Sequence, residues 1–195
     1  MTAAPSQNTN LLLPMLFARV LSALGTMLRK KSELYDEPTL AKIFLLNNYN
    51  YIAKTLANED DGLLPVISEQ NTNILSFYHK EIANYVEEYM KSWNLVLAAL
   101  RPVSRLGEEK SLARDIMTNF TREFDQLLNQ QSDYCVSDVK LSGELKERAR
   151  QLVWPPYAKL LDVCSRLHSI PQGVKYTEHT FNAAVNNLFS ASGVR

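Results

Sequence analysis

The stretch TNILSFYHKEIANYVEEYMKSWNLVLAAL, residues 72–100, decides the fold class of this chain. Its apolar and aromatic side chains recur every three or four residues, at Leu75, Tyr78, Ile82, Tyr85, Tyr89, Trp93, Val96 and Leu100. Side chains with this period share one face of an α-helix. The stretch therefore predicts a single helix about 40 Å long, at a rise of about 1.5 Å per residue.

The rest of the chain also favours helices. No segment alternates apolar and polar residues over the length of a strand, and only 6 of the 195 residues are glycine. We predict an all-α fold in which about six helices form antiparallel bundles, stacked into a short rod. Residues 1–10 are polar and unpatterned, so a disordered tail is expected there, followed by a helical region over residues 11–195.

The first helix is predicted over residues 11–31 and has one apolar face of the kind that packs against neighbouring helices. That face consists of Leu13, Leu16, Val20, Leu24 and Met27. The last turn carries three cations, Arg29, Lys30 and Lys31. Such charges oppose the negative end of the helix dipole, and a basic patch that lands on a membrane is the alternative interpretation.

Capping residues and prolines mark the other helices. The second helix is expected to start at Asp36, with Pro38 in its first turn. A fourth helix carries an apolar stripe of Leu112, Ile116, Phe120, Phe124 and Leu127. The fifth is predicted to start near Ser142 and to bury Leu145, Leu152, Leu160 and Val163, with a kink or a break at Pro155 and Pro156. The last starts near Thr177.

Charge and cysteine content restrict the classes of function. The formal net charge is zero, so a bulk attraction to nucleic acid is not expected, yet residues 1–139 carry −4 and residues 140–195 carry +4. The longest apolar runs, residues 11–17 and 95–100, are shorter than the roughly 20 residues that span a bilayer, so any membrane contact should be superficial. Cys135 and Cys164 show no paired spacing, which indicates a reducing compartment and packing as small hydrophobes.

No catalytic or metal-binding pattern is present in the sequence. The three histidines are His79, His168 and His179, and none of them belongs to a pair four residues apart with a glutamate between. Neither glycine-rich phosphate motif, GxxxxGK[ST] or GxGxxG, occurs. We therefore predict a protein that is not an enzyme and that uses no metal or other cofactor.

A run of three asparagines and two tyrosines, Asn47-Asn48-Tyr49-Asn50-Tyr51-Ile52, interrupts an otherwise helical pattern. Together with Tyr35-Asp36-Glu37-Pro38 and Ile43-Phe44-Leu45, it closely resembles the family of exocyst complex component seven, the seventy-kilodalton exocyst subunit. Asparagine clusters are disfavoured inside helices, so a chance match of this length is improbable. The resemblance extends from Leu11 to Phe189 through Ser92-Trp93 and Val174-Lys175-Tyr176.

The resemblance implies the C-terminal portion of a longer rod of helical bundles. Family members act in the cytoplasm and at the plasma membrane, where the complex tethers secretory vesicles before fusion. Other exocyst subunits, phosphatidylinositol 4,5-bisphosphate and Rho-type GTPases are the implied partners. The alternative is a soluble helical adaptor that binds a protein such as a Rho-type GTPase without lipid contact. Whether the chain is a fragment, a short isoform or a truncated product stays open.

The resemblance assigns lipid contact to Lys175, in the matching Val174-Lys175-Tyr176 motif. The family has a second lysine three residues earlier, where this chain has Gln172. Four further basic residues are expected to compensate, or else to be scattered surface charges, namely Lys159, Arg166, Lys110 and Arg114.

A structural role is expected for Asn47, Asn48 and Tyr51 of the Asn-Tyr run. Asn47 and Tyr51 are four residues apart and share a helix face, so at least one asparagine should be turned toward a neighbouring helix. A buried amide needs partners for its donors and its acceptor, which would fix the register between helices. A direct contact with a partner protein is the alternative.

Overall fold

A computed structural model describes residues 9–58, 73–105, 109–168 and 174–190. Every regular element in these ranges is helical, so the prediction of an all-α fold is confirmed. The chain packs as two compact units, residues 1–89 and 90–195. The sequence also predicts an acidic loop over residues 58–62 and a short turn over residues 63–67, and residues 59–67 lie outside the described residues.

Three helices form the described part of the first unit. They are α1 (Thr9–Ser32), α2 (Pro38–Ala57) and α3 (Ile74–Met90), the last residue of which belongs to the second unit. The second unit continues with a 3-10 turn (Lys91–Trp93), α4 (Asn94–Leu100), a 3-10 turn (Arg101–Arg105), α5 (Lys110–Gln130), α6 (Val139–Arg166) and α7 (Glu178–Asn186).

The predicted helix over residues 72–100 is thus divided into α3, one 3-10 turn and α4. The backbone N–H of Asn94 bonds to the carbonyl of Lys91, three residues earlier, which is the tighter 3-10 spacing. Six of the eight residues of the predicted apolar stripe are nevertheless buried, while Leu75 and Ile82 are half-buried. The buried members are Tyr78, Tyr85, Tyr89, Trp93, Val96 and Leu100.

Helix α1 starts two residues before the predicted position and packs with a different face. The predicted apolar face is largely exposed, with exposed fractions of 48% for Leu13, 57% for Leu16, 53% for Val20 and 67% for Met27. The buried positions lie on the adjoining side of the helix, at Pro14, Gly25, Leu28 and Ser32.

Helix α2 contacts the buried face of α1 at Gly25. A Cβ atom placed on Gly25 would lie 3.4 Å from the phenol oxygen of Tyr49, the buried tyrosine of the Asn-Tyr run. Glycine adds nothing to an apolar pattern, although its small size lets a neighbouring helix come close. The prediction of the buried face was wrong because periodicity detects apolar side chains and does not detect such contacts.

The helix also contains a segment of membrane-spanning length. By length and composition, the segment Leu12–Ser32 could cross a bilayer. Its mean hydropathy is 1.4, and little of it is buried. The sequence-based expectation that no segment reaches this length was wrong. That expectation considered only uninterrupted apolar runs. The mean hydropathy of a segment can stay high even when the segment contains a polar residue such as Arg19.

The residue that caps α2 is Glu37 instead of the predicted Asp36. Its carboxylate accepts hydrogen bonds from the backbone N–H groups of Thr39 and Leu40. Pro38 occupies the first turn, as predicted, where the helix needs no N–H donor.

Aromatic rings fill the core of the second unit. Phe120 of α5 stacks on Tyr157 of α6 with ring centroids 4.1 Å apart, and Phe124 stacks on Phe181 of α7 at 5.3 Å. Trp93 lies 6.2 Å from Phe124. All five side chains are fully buried, so these rings hold α5, α6 and α7 together with the turn before α4.

Helix α6 departs from its prediction in its cap and in the burial of Leu152, and it is not divided into two helices at its prolines. Its cap is Asp138, whose carboxylate accepts from the N–H of Leu141 at 2.8 Å, and Ser142 lies inside the first turn. The helix is continuous through Pro155 and Pro156. The carbonyls that these prolines leave unbonded belong to Gln151 and Leu152, which are exposed, so water can satisfy them. The predicted burial of Leu152 was therefore wrong; 44% of it is exposed.

Candidate lipid-binding site

The five candidate basic residues are all exposed and lie on three elements of the second unit. Lys110 and Arg114 are four residues apart at the start of α5, so they share a helix face. Lys159 and Arg166 are seven residues apart on α6 and also share a face. Lys175 lies in the short segment that precedes α7.

Lys175 is held by an ion pair. Its Nζ lies 2.6 Å from a carboxylate oxygen of Asp125 on α5 and 5.4 Å from the centre of the Tyr176 ring. The Tyr176 hydroxyl donates to the other oxygen of the same carboxylate. The Lys175 side chain is still 56% exposed, so it remains accessible from solvent.

The backbone beside Lys175 is anchored from the core. The buried hydroxyl of Tyr157 donates to the backbone carbonyl of Tyr176 at 2.8 Å. Burial raises the pKa of Tyr157, and burial together with the Asp125 carboxylate raises the pKa of Tyr176. Both phenols therefore stay protonated and remain donors at neutral pH.

The structure separates Lys175 from the basic residues at the start of α5. Asp125 follows Arg114 by eleven residues on the same helix, which corresponds to about 16 Å along its axis. Lys110 lies one further turn away. The two ends of α5 thus offer separate contacts to an anionic surface instead of one combined site.

Helix α6 contributes a second paired cation. Arg166 lies 2.9 Å from the carboxylate of Asp162, one turn earlier, and both side chains are more than 60% exposed. The charges of Lys175 and Arg166 are therefore partly neutralised in the free protein. Exposed pairs of this kind are weak, about 0.2–1 kcal/mol, so a stronger anionic partner can compete for the cation.

The Asn-Tyr run has its centre at Tyr49, a residue that the sequence-based assignment omitted. Asn48 donates to the carbonyl of Phe44 within its own helix at 2.7 Å, so this bond does not link it to another helix. Asn47 is half-buried, whereas Tyr51 is 73% exposed, which argues against the packing role expected for Tyr51.

Tyr49 links the three helices of the first unit. Its hydroxyl accepts from the guanidinium of Arg29 on α1 at 3.0 Å, and its ring lies 5.4 Å from Tyr78 and 5.2 Å from Tyr85 on α3. Burial raises the pKa of Tyr85, with a further contribution from Tyr49. Arg29, one of the three cations at the end of α1, therefore contributes to packing within the first unit.

The described residues hold no group of three or more His, Cys, Asp or Glu side chains that could bind a metal ion. Cys164 is buried, as expected, with its Sγ 3.9 Å from the carbonyl oxygen of Ala113. Cys135 is exposed, contrary to the expectation of packing, because it lies in the connection between α5 and α6. The exposed cations in the described part of the chain can bind anions.

Comparison with known proteins identifies the family of this chain. Residues 2–187 match the family profile of the C-terminal region of the Exo70 exocyst complex subunit. The chain belongs to the Exo70 family. Among Exo70 relatives, exocyst complex component 7 of Drosophila melanogaster is 24% identical over 203 residues, which cover 97% of this chain and 29% of that protein. The human protein of the same name is 24% identical over 206 residues, covering 98% and 27%.

A plant relative gives the same result. Exocyst complex component EXO70B1 of Arabidopsis thaliana is 26% identical over 196 residues, covering 96% of this chain and 30% of the relative. The chain thus spans less than a third of the length of these Exo70 relatives. The resemblance stated from the Asn-Tyr run is confirmed. Gln172, where the resemblance led us to expect lysine, lies outside the described residues.

Proposed function

We propose that this Exo70-family chain is a non-enzymatic module in the tethering of secretory vesicles to the plasma membrane. Membership of a family whose members are named as exocyst components supports this proposal. Other exocyst subunits are its proposed partners. Its proposed location is the cytoplasm, with peripheral attachment to the inner surface of the plasma membrane.

The proposed membrane ligand is phosphatidylinositol 4,5-bisphosphate, and the proposed contacts are Lys175, Lys159, Arg166, Lys110 and Arg114. The exposure of all five side chains and the net charge of +4 over residues 140–195 support this. A basic residue near an anionic leaflet contributes about 1 kcal/mol. A few such contacts bind weakly alone, but they become effective when other subunits of an assembly add avidity.

Lys175 is the best supported of the five proposed contacts, because the backbone beside it is already held in place. The bond from Tyr157 to the Tyr176 carbonyl fixes the adjacent backbone, so binding need not order that segment. A phosphate group that approaches Lys175 would compete with one exposed carboxylate, that of Asp125. The remaining four residues would add long-range attraction and further phosphate contacts.

Sedimentation with vesicles tests the lipid contact. Wild type is mixed with phosphatidylcholine vesicles with and without phosphatidylinositol 4,5-bisphosphate, each at low and at physiological salt. The bisphosphate should increase pelleting, more so at low salt, and Lys175→Glu should reduce that increase. Lys140→Glu is the matched control, since Lys140 is another exposed lysine of the second unit. An equal effect of both substitutions, or no increase with the bisphosphate, would contradict the proposal.

The alternative is a soluble adaptor that binds a Rho-type GTPase without lipid contact. It is favoured by Gln172 in place of the family lysine and by the ion pairs that engage Lys175 and Arg166. In that case wild type should remain in the supernatant with all vesicles. It should instead bind a purified Rho-type GTPase in its GTP-bound form, measured by calorimetry.

A further inference from the structure

The outer face of α1 carries a set of large apolar side chains that the first unit leaves exposed. Each is 48–67% exposed, and the set consists of Leu12, Leu13, Met15, Leu16, Val20 and Met27. The opposite face is packed through Gly25 and Leu28. One helix thus presents exposed apolar side chains over about four turns, while its other side packs against the first unit.

The charges of α1 all have one sign. Thr9–Ser32 includes four basic residues and no acidic residue. Arg29 lies on the packed side and donates to Tyr49. At about 100° per residue, Arg19, Lys30 and Lys31 lie within about 80° of the centre of the outer face. Three cations therefore lie on the same side of the helix as the exposed apolar residues.

This combination fits a lipid surface better than a second helix. A partner helix would cover a narrow stripe and would need acidic residues to match the flanking cations. The exposed apolar residues in the first turns of α1 instead spread over about 160° of its circumference, at about 100° per residue, from Met15 to Leu13. The segment Leu12–Ser32 also has the hydropathy of a membrane helix.

We propose that the outer face of α1 lies on an anionic membrane, with the helix axis in the plane of the surface. The apolar side chains enter the boundary between headgroups and acyl chains, while Arg19, Lys30 and Lys31 reach lipid phosphates. The contacts with α2 hold the helix in the plane, since crossing the bilayer would break the contact at Gly25 and the bond from Arg29 to Tyr49. This site goes beyond the proposed bisphosphate contact and does not depend on Lys175.

Vesicles that lack phosphoinositide test this site separately. Wild type is titrated with vesicles of 70% phosphatidylcholine and 30% phosphatidylserine, and with pure phosphatidylcholine. Wild type should bind the anionic vesicles at least tenfold more tightly than the neutral ones. The double substitution Leu16→Glu with Val20→Glu should weaken binding to the anionic vesicles at least tenfold, since it places two carboxylates in the outer face.

The chain offers a control with identical chemistry. Leu95 and Val139 are 68% and 87% exposed in the second unit, so Leu95→Glu with Val139→Glu makes the same change in residue type and net charge elsewhere. This control should bind the anionic vesicles as wild type does. Circular dichroism should show unchanged helix content in both doubles, because all four positions are exposed.

A depth measurement distinguishes insertion from simple charge attraction. In a Val20→Trp variant, vesicles with brominated acyl chains should quench the added indole fluorescence relative to wild type. The proposal is overturned if wild type does not bind the anionic vesicles, if both double variants lose binding equally, or if quenching is absent. It is also overturned if the Leu16→Glu, Val20→Glu variant loses self-association in sedimentation velocity but still binds vesicles, because the outer face would then bind a second copy of the chain. None of these results affects the Lys175 dependence measured with bisphosphate vesicles.

Discussion

Asp125→Asn should strengthen binding to bisphosphate-containing vesicles, although it removes an ion pair. In the free protein the Asp125 carboxylate lies 2.6 Å from Lys175 Nζ and occupies the cation that is proposed to meet the lipid. Asparagine keeps an oxygen that can accept from the Tyr176 hydroxyl, so the local fold should survive. Lys175 then becomes free to bind phosphate.

The magnitude follows from two small terms. The pair is exposed, with 56% and 31% of the two side chains accessible, so breaking it costs about 0.2–1 kcal/mol in the unbound state. A charge near an anionic leaflet is worth about 1 kcal/mol, and Asp125 acts there as a repelling charge. Loss of the carboxylate should therefore improve the binding free energy by about 1–2 kcal/mol, or roughly five- to thirtyfold in affinity.

The assay is vesicle titration at low salt with and without the bisphosphate. Asp133→Asn serves as the control, because Asp133 is an exposed aspartate of the same unit and its loss changes the net charge equally. The reasoning is refuted if Asp125→Asn binds no better than wild type, or if Asp133→Asn gives the same gain. A double variant with Lys175→Glu should lose the gain, since the freed cation is then absent.

Three further results are expected from the described contacts. Tyr157→Phe should lower the free energy of unfolding in urea by about 1–3 kcal/mol, because it leaves the buried carbonyl of Tyr176 without a donor. Asp138→Ala should cost about 1 kcal/mol in the same assay, whereas Ser142→Ala should cost less, since Asp138 is the cap of α6. Burial raises the pKa of Tyr157 above 10.0, so the unfolded state releases its proton first. The free energy of unfolding should therefore fall above pH 10 by about 1.4 kcal/mol per pH unit for this residue, and Tyr157→Phe should lack that part of the slope.

Sequence periodicity predicted the helices well where a helix has a single apolar stripe. Helix α5 is such a case, since Ile116, Phe120, Phe124 and Leu127 are buried as expected. It failed on α1, which has apolar residues on two sides. The buried side is the one on which Gly25 meets Tyr49 of another helix, and a hydropathy pattern does not detect that contact.

The candidate site was predicted only in part, for a similar reason. The motif Val174-Lys175-Tyr176 drew attention to Lys175, but its counter-ion Asp125 lies fifty residues earlier in the chain. No local spacing connects the two residues. Likewise Tyr157 reads as one more aromatic of α6, and only the fold shows that its hydroxyl holds the backbone next to Lys175. Contacts between residues that are distant in the chain determine which exposed cations form ion pairs.

The orientation of α1 has a consequence for the folding energy of the first unit. Packing at Gly25 and Arg29 turns the helix so that Leu16, Val20 and Met27 face water. Sequences selected for stability alone are minimally frustrated, and they bury such side chains where they can. The first unit is therefore locally frustrated along one helix. Substitutions that relieve this frustration, such as Val20→Gln, should leave its folding intact or improve its solubility.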